Sequence, residues 1–178
     1  GVSYCATCDG MMYRNKTVIV VGGGNTAAED ALYLSKLCAK VYMVHRRDRL
    51  RASAAYQKQL EQAENVEFIW NSEVTKFLYD NIITGAEITN RQTGEKTEIA
   101  ANGIFIAVGR IPNNELFKDQ VALDKDGYII AGEDTKSSLP GVFAAGDIRQ
   151  KPLRQIVTAA SDGAVASKSV EEYLGLLP

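Results

Sequence analysis

Three short runs of apolar residues near the start of the chain are separated by two segments with helical character. The runs are Thr17–Val21, Val41–Val44 and Val66–Trp70, and their nearly continuous apolar composition is typical of buried parallel strands. Residues 25–38 and 53–64 lie between them and have the apolar spacing or the composition of helices. The order of strand, helix, strand, helix, strand predicts an α/β fold built on a doubly wound parallel sheet.

The pattern changes after residue 72, where polar and apolar residues begin to alternate. The alternation covers residues 73–80, 82–90 and 95–99. Asp80-Asn81 and Thr93-Gly94 separate these segments and are favoured in tight turns, so we predict an antiparallel β-meander. Ile104–Val108 is fully apolar again, which predicts one more buried strand.

A turn signal at Pro112 predicts a domain boundary, with one domain over residues 1–112 and a second over residues 113–178. The second domain has a predicted strand near residues 127–131 and one long helix from about Leu153 to Tyr173. So few elements make a poor independent core in a segment of this size. We therefore expect the second domain to be part of a larger, incomplete domain.

Composition and charge narrow the possible partners. The chain has 178 residues, of which 46% are hydrophobic and 24% charged, and its net charge is −2. This balance gives no electrostatic reason to expect nucleic acid or an anionic membrane as a partner. No apolar run approaches the roughly 20 residues that span a bilayer, so we expect a cytoplasmic protein. The chain opens at Gly1 without an initiator Met, and we expect its native N-terminus to lie outside this sequence.

The sequence Gly22-Gly-Gly24-Asn25-Thr26-Ala27 follows the first predicted strand and opens the first predicted helix. In that context the G-x-G-x-x-A spacing indicates a Rossmann-like dinucleotide site. Gly22 allows a tight turn, Gly24 lets a pyrophosphate approach the backbone, and Ala27 lets helix and strand pack closely. Free N–H groups at the helix N-terminus can bind the phosphates. The alternative is a glycine-rich turn that binds nothing.

Residues at the end of the second predicted strand indicate which dinucleotide is bound. A site for NAD usually places an acidic residue there, to hold the ribose 2′-hydroxyl. This chain instead has His45, Arg46, Arg47 and, shortly afterwards, Arg51. Guanidinium groups bind a 2′-phosphate through charge-assisted hydrogen bonds, so we predict NADPH. We expect His45 to support the phosphate site rather than to act as an acid or base. The alternative for the arginines is a solvated surface loop.

A second candidate chemistry lies in the first sixteen residues, which we predict to be irregular. Cys5 and Cys8 form a C-x-x-C that is followed by Asp9. Two cysteines at this spacing can open and close a disulfide, and Asp9 could exchange a proton with the thiolate. The alternatives are half of a zinc site or two inert thiols. A zinc site would need two more ligands, for which the chain offers only Cys38 and its single histidine.

Five motifs occur in order along the chain. They are Cys5-Ala-Thr-Cys-Asp-Gly10, Gly22-Gly-Gly-Asn-Thr-Ala27, His45-Arg-Arg-Asp48 with Arg51, Ala107-Val-Gly109 with Pro112, and Phe143-Ala-Ala-Gly146-Asp147 with Arg154-Gln155. Together they resemble the low-molecular-weight, bacterial-type thioredoxin reductases of the pyridine nucleotide-disulfide oxidoreductase family. The related flavoprotein subunit of alkyl hydroperoxide reductase usually has a different pair between its two cysteines, so the Ala-Thr pair favours thioredoxin reductase.

The resemblance implies an electron path and a role for each redox residue. NADPH would reduce FAD, FAD would reduce the disulfide, and the dithiol would reduce thioredoxin. Cys8 would be the sulfur on the flavin side, Cys5 would attack the thioredoxin disulfide, and Asp9 would be the acid. Gly109, in the fourth motif, is expected at a cofactor site.

The resemblance also implies a partial FAD site in the second domain, as part of a second Rossmann-like domain. Asp147, preceded by Gly146, would hydrogen-bond the ribityl chain of FAD. Arg154, Gln155 and Ile156 would lie at the start of the last helix, against the flavin ring, where the helix N-terminus favours negative charge.

The chain departs from the family pattern at one point, because no second G-x-G-x-x-G for FAD precedes the C-x-x-C. We therefore expect a fragment that binds NADPH but not FAD, from an enzyme that is a homodimer at full length. The alternatives are a stand-alone NADPH-binding module, a protein-interaction adaptor and the flavoprotein subunit of an alkyl hydroperoxide reductase.

Overall fold

A five-stranded parallel sheet forms the centre of the fold in a computed structural model, which describes residues 1–175. The strands in chain order are β1 (Val2–Ser3), β2 (Thr17–Val21), β3 (Lys40–Val44), β4 (Val66–Ile69), β5 (Ser72–Tyr79), β6 (Ile83–Asn90), β7 (Lys96–Ala100) and β8 (Gly103–Ile106). The α-helices are α1 (Ala6–Asp9), α2 (Asn25–Ser35), α3 (Ala54–Glu61) and α4 (Ile156–Tyr173). The parallel sheet has the order β1-β8-β2-β3-β4, which confirms the predicted α/β class.

Both faces of the central strand β2 are covered, which explains its unbroken apolar run. On one face Val18 and Val20 pack in a cluster with Leu34 of α2. On the other face Ile19 packs in a second cluster with Ile88 of β6. The predicted meander is confirmed as a separate three-stranded antiparallel sheet, β5-β6-β7, and this sheet supplies the second cover.

The first sixteen residues are not irregular, so that prediction is wrong. Val2 of β1 pairs with Ile104 of β8, which makes β1 the edge strand of the parallel sheet. Helix α1 follows, and a single 3-10 turn over Gly10–Tyr13 leads towards β2. Ala6 is buried, and Gly10 lies against the ring of Tyr33 on α2. A two-residue strand is too short to show an alternation that the sequence could reveal.

The strand predicted near residues 127–131 is also absent. Ile129 forms only isolated bridges, to Leu123 and to Arg149. Its side chain is nevertheless buried in a small apolar cluster with Val121 and Ala144. The apolar pattern therefore marked a buried segment correctly, but that segment pairs too briefly to become a strand.

The last helix begins at Ile156 rather than near Leu153. Gln155 takes the N-cap position with extended backbone angles. Its N–H donates to Oγ1 of Thr158 at 3.0 Å, which is one half of a capping box. The cap fixes the first turn of α4 and leaves Arg154 in the loop that precedes it.

The chain divides into two compact units, which we call unit 1 (residues 1–109) and unit 2 (from Arg110 onward). The division falls a few residues before Pro112. The second predicted domain runs to residue 178, and residues 176–178 lie outside the described part. Within residues 1–175, no helix is long and apolar enough to cross a membrane.

Candidate functional site

A cavity of about 500 Å³ opens at the carboxyl ends of β2, β3 and β8 in unit 1. This edge of a doubly wound sheet is where such folds bind nucleotides. The lining residues are Val21, Gly22, Gly23, Gly24, Thr26, Val44, His45, Arg46, Arg51, Ser72, Glu73, Ala107, Val108 and Gly109. The structure therefore joins the glycine turn (residues 22–24), the arginine loop (residues 45–51) and the segment 107–109 around one space.

The three glycines of the turn serve different purposes. Gly22 has φ of +150°, and a Cβ there would collide with the carbonyl oxygen of Ala107. A Cβ on Gly23 would collide with the ring of His45. Gly24 has φ of −92°, and no atom lies within 4 Å of the place its Cβ would take. The first two glycines therefore permit close packing, whereas the third leaves open space beside the N-terminus of α2, which fits a pyrophosphate.

Backbone hydrogen bonds hold the arginine loop against the glycine turn. The Arg51 N–H donates to the Gly23 carbonyl at 2.7 Å. The Ser53 N–H donates to Oδ1 of Asn25 at 2.8 Å, so the start of α2 also fixes the start of α3. Arg46 and Arg51 of this loop both line the cavity and bring two positive charges to it.

His45 is buried beside this loop, with 5% of its surface exposed. Burial lowers the pKa of its ring, and the positive charges of Arg51, Arg47 and Arg46 lower it further, against a hydrogen bond to the backbone of Arg49. Its Nε2 is buried and has no hydrogen-bond partner among the described residues. A buried polar atom of this kind is costly unless a ligand completes its hydrogen bond, so the ring fits a polar ligand in the cavity.

Three of the residues predicted for the dinucleotide site do not line the cavity. Asn25 bonds Ser53 as described, Ala27 is fully buried beneath the turn, and Arg47 is exposed. Conversely, Ser72 and Glu73 line the cavity and were missed. The available signal was their position directly after β4, at the same carboxyl edge of the sheet.

The two cysteines of the C-x-x-C are joined in a disulfide at the start of α1. The sulfurs are 2.02 Å apart and the Cα atoms 5.3 Å apart. Cys5 caps the helix, and its Sγ accepts from the Cys8 N–H at 3.1 Å. Cys38 is buried and free, and burial raises the pKa of its thiol. Within residues 1–175, no group of three or more His, Cys, Asp or Glu side chains could hold a metal ion.

Asp9 is fixed by a buried serine at the end of β1. Oγ of Ser3 donates to Oδ2 of Asp9 at 2.6 Å. Oγ of Ser3 also accepts from the Cys5 N–H at 3.1 Å. The Ser3 hydroxyl therefore connects the carboxylate to the backbone of the disulfide turn.

Large apolar side chains flank the disulfide at the surface. Tyr4 is 66% exposed, Met11 is 56% exposed and Met12 is 61% exposed. Tyr4 directly precedes Cys5, and the two methionines begin shortly after Asp9 in the 3-10 turn. Exposed apolar groups that are close together are typical of a protein-binding surface.

Unit 2 places the residues predicted for FAD on adjoining loops. Gly146 has φ of +82° and begins a short 3-10 turn that presents the half-exposed side chain of Asp147. Nε of Arg154 donates to the Asp147 carbonyl at 3.2 Å, and its guanidinium lies 3.7 Å from the ring centre of Tyr128. Ile156, the first residue of α4, is 89% exposed.

A buried ion cluster under this turn was not predicted from the sequence. Asp162 of α4 accepts from Nη2 of Arg149 at 2.8 Å and from Nζ of Lys151 at 2.6 Å. It also accepts from the Gly146 N–H at 2.9 Å. The hydrogen bonds from Arg149 contribute most to holding the pKa of the Asp162 carboxyl far below its usual range. An aspartate in the middle of a helix gives no sequence signal that distinguishes it from a solvated one.

Comparisons with known proteins agree with this geometry. A family model described as pyridine nucleotide-disulphide oxidoreductase matches residues 1–163. The thioredoxin reductase of Peptoclostridium acidaminophilum is 47% identical over 180 residues, which cover 98% of this chain and 57% of that protein. The thioredoxin reductase of Bacillus subtilis (strain 168) is 42% identical over 175 residues, covering 98% of this chain and 55% of that protein.

Solved structures give the same result. The crystal structure of thioredoxin reductase from Streptococcus pyogenes MGAS5005 is 44% identical, with a TM-score of 0.93, and the match covers 99% of this chain and 58% of that one. This chain therefore spans somewhat more than half the length of the relatives it matches. The family resemblance carried by the five motifs is confirmed, and the chain belongs to the pyridine nucleotide-disulphide oxidoreductase family.

Proposed function

We propose that this chain is the NADPH-binding and disulfide-bearing part of a thioredoxin reductase, an enzyme that uses NADPH and FAD to reduce the disulfide of thioredoxin. One observation carries the proposal: unit 1 combines an arginine-lined nucleotide cavity with a surface C-x-x-C disulfide. A stand-alone nucleotide-binding module would have no use for the second feature. The similarity to proteins named thioredoxin reductase supports the same reading.

The strand order supports an orientation for NADPH in the cavity. Strands β8 and β3 lie on opposite sides of β2. The pyrophosphate would lie at Gly24, above the end of β2, with the 2′-phosphate on the β3 side against Arg46 and Arg51. Nε2 of His45 would form a hydrogen bond with the same end of the nucleotide. The nicotinamide would then extend towards Gly109 on the β8 side.

The disulfide supports thiol–disulfide exchange with a protein partner. In the dithiol form, one cysteine thiolate attacks the partner disulfide, and a mixed disulfide forms as a partner thiolate leaves. The second cysteine thiolate then displaces the other partner sulfur, which restores the Cys5–Cys8 disulfide and leaves a partner dithiol. Asp9 would act as the acid that supplies a proton to a departing thiolate. The attacking role of Cys5 stays a prediction. In the oxidised form Cys8 is more exposed than Cys5, so exposure does not favour Cys5 as the attacking sulfur.

FAD supplies the relay between the nicotinamide and the disulfide when it is bound. In the full-length enzyme, Asp147 and the loop of Arg154 in unit 2 would hold the ribityl chain and one edge of the ring, with Gln155 and Ile156 at the N-terminus of α4. The partner would be thioredoxin, which would contact the exposed Tyr4, Met11 and Met12. The homodimer, the cytoplasmic location and the absence of nucleic-acid and membrane partners stay predictions.

Nucleotide titration tests the NADPH site directly. Arg46→Ala and Arg51→Ala should each weaken NADPH binding several-fold or more, because a hydrogen bond to a charged group contributes about 1.5–3 kcal/mol before solvent screening. NADH binding should hardly change. Arg49→Ala is the matched control, since Arg49 lies in the same loop without lining the cavity. Equal losses of affinity for NADPH and NADH would contradict the assignment of Arg46 and Arg51 to the 2′-phosphate.

A trapping experiment tests the partner and the order of the sulfurs. With oxidised thioredoxin, reduced Cys8→Ser should accumulate a mixed disulfide through Cys5, whereas Cys5→Ser should not. Peptide mapping after alkylation identifies the joined residues. A mixed disulfide formed only through Cys8 would reverse the roles. Failure of both variants to cross-link would contradict thioredoxin as the partner.

A further inference from the structure

The nucleotide cavity contains a carboxylate that the proposed function leaves unused. Glu73, near the start of β5, lines the same cavity as Arg46 and Arg51. It is the one acidic residue among the described residues that line this space. A carboxylate beside a phosphate site is unfavourable electrostatically unless a nearby cation or a hydrogen-bond donor stabilises it.

Backbone hydrogen bonds place Glu73 at one particular end of the cavity. The Ser72 N–H donates to the His45 carbonyl at 3.0 Å, and the Asn71 N–H donates to the Arg47 carbonyl at 3.0 Å. The start of β5 is therefore tied to the arginine loop, on the β3 side of the glycine turn. Segment 107–109 lies on the other side, beyond β2. In the proposed orientation, Glu73 borders the adenosine half of NADPH.

A neighbouring arginine holds this carboxylate in place and offsets part of its charge. Nε of Arg91 lies 3.5 Å from Oε2 of Glu73. The backbone of Arg91 is itself fixed, because its N–H donates to the Asn71 carbonyl at 2.7 Å. The Glu73 side chain remains 53% exposed, so it can still accept a hydrogen bond from a ligand.

We infer that Glu73 is a specificity-determining residue that recognises the adenine ring, by accepting a hydrogen bond from its exocyclic amino group. The inference rests on the proposed binding of NADPH. Because the 2′-hydroxyl is esterified in NADPH, the amino group and the 3′-hydroxyl are the donors left at this end. Adenine and hypoxanthine differ at this group: hypoxanthine has a carbonyl there, which would face the carboxylate with an acceptor, and it carries a donor N–H on the neighbouring ring nitrogen instead.

The test compares NADPH with its hypoxanthine analogue deamino-NADPH, in which a carbonyl replaces the amino group and the neighbouring ring nitrogen carries a hydrogen. Fluorescence titration of the 178-residue chain should show a preference for NADPH of roughly three- to ten-fold, as expected for one solvent-accessible hydrogen bond. Glu73→Ala should reduce this preference to less than about two-fold. Glu73→Gln should keep most of it, since the amide oxygen still accepts. Glu67→Ala is the matched control and should leave it unchanged, because Glu67 pairs with Lys40 outside this cavity.

Several outcomes would overturn the inference while leaving NADPH binding intact. Equal affinity of the unmodified chain for both nucleotides would point to the 3′-hydroxyl or to solvent as the carboxylate's partner. An unchanged preference in Glu73→Ala would exclude Glu73 as its source. If both Glu73 variants bound both nucleotides more tightly and by the same factor, Glu73 would act only as a negative charge that repels the ligand. If neither nucleotide binds the unmodified chain, the proposed function fails as well.

Discussion

Units 1 and 2 bury opposite kinds of residue under their main helices. In unit 1, α2 buries Ala27, Ala31 and Leu34 against an apolar sheet. In unit 2, the residues that α4 buries are Asp162 and Ser169. The two apolar residues that begin α4 lie outside, with Ile156 89% exposed and Val157 73% exposed. The first helix is held by the hydrophobic effect, whereas the second is held by an ion cluster and hydrogen bonds.

The two kinds of interior respond differently to damage. An apolar core loses stability in proportion to the volume removed from it. A buried ion cluster is stable only as a whole, because removing one charge leaves its partners desolvated and unpaired. Asp162 pairs with both Arg149 and Lys151, each of which has a side chain no more than 5% exposed. Arg149 also pairs with Glu133, whose side chain is 95% exposed. Unit 2 therefore depends on one residue to a degree that unit 1 does not.

The largest expected effect breaks this cluster. Asp162→Ala should destabilise unit 2 by about 3–5 kcal/mol, because two buried cations lose their shared carboxylate. Amide hydrogen exchange at Gly146, whose N–H donates to Asp162, reports the loss. Fluorescence of Trp70, the single tryptophan, reports unit 1 and should hardly change. Asp126→Ala, on an exposed turn, is the control. Unchanged exchange at Gly146 would contradict the dependence of unit 2 on the cluster.

A pair of glycine variants separates folding from binding in unit 1. Gly22→Ala should cost about 2–3 kcal/mol, because the position has φ of +150° and no room for a Cβ beside Ala107. Gly24→Ala should leave the free energy of unfolding nearly unchanged, since its Cβ meets no atom within 4 Å. It should nevertheless weaken NADPH binding, because the methyl group enters the space proposed for the pyrophosphate. Urea unfolding and nucleotide titration measure the two effects. If Gly24→Ala bound NADPH with normal affinity, this would contradict the proposed position of the pyrophosphate at this turn.

A smaller effect is expected at Ser3, a buried polar residue in the mainly apolar unit 1. Ser3→Ala should cost about 1–2 kcal/mol, because the Asp9 carboxylate and the Cys5 N–H both lose a hydrogen bond. It should also slow reduction of the disulfide by dithiothreitol if Asp9 supplies the proton. Ser3→Thr keeps the hydroxyl and should restore the rate. Ser35→Ala, which removes a helix-surface hydroxyl, is the control. Equal reduction rates in all three variants would show that Ser3 is structural only.

The sequence predicted unit 1 far better than unit 2. In unit 1, local pattern and tertiary packing agree, because β2 is apolar on both sides and lies between two covers. The two-residue strand β1 escaped prediction, since its pairing with β8 is decided by residues a hundred positions away. In unit 2 a small apolar cluster lies beside buried charged residues. Hydropathy cannot distinguish the buried Asp162 from an exposed aspartate.

The same reasoning applies to the candidate site. The glycine turn, the arginine loop and the C-x-x-C carry local motifs, and the structure brings the first two around one cavity. Ser72 and Glu73 reach this cavity only because the strand order places β4 beside β3. Arg47 shows the opposite case: it belongs to the motif, yet it is not among the residues that line the cavity. Motifs predict which loops meet, whereas the individual contacts depend on strand order and backbone hydrogen bonds.

The smallest expected effect is a difference in acid sensitivity between the units. The pKa of His45 is lowered from 6.5 in the folded chain, mainly by burial, so the unfolded chain binds a proton more readily. The stability of unit 1 should therefore fall as the pH drops below about 6.5. The pKa of Asp162 is lowered from 3.8, so its contribution to unit 2 should persist until the pH falls below that value. Urea unfolding between pH 7.5 and 5.5, followed at Trp70 for unit 1 and at the Gly146 amide for unit 2, should show a decline in the first signal alone. His45→Asn should flatten the Trp70 response. A parallel decline at both probes would mean that the two units unfold together. The difference between their interiors would then not appear as a difference in stability between the units in this pH range.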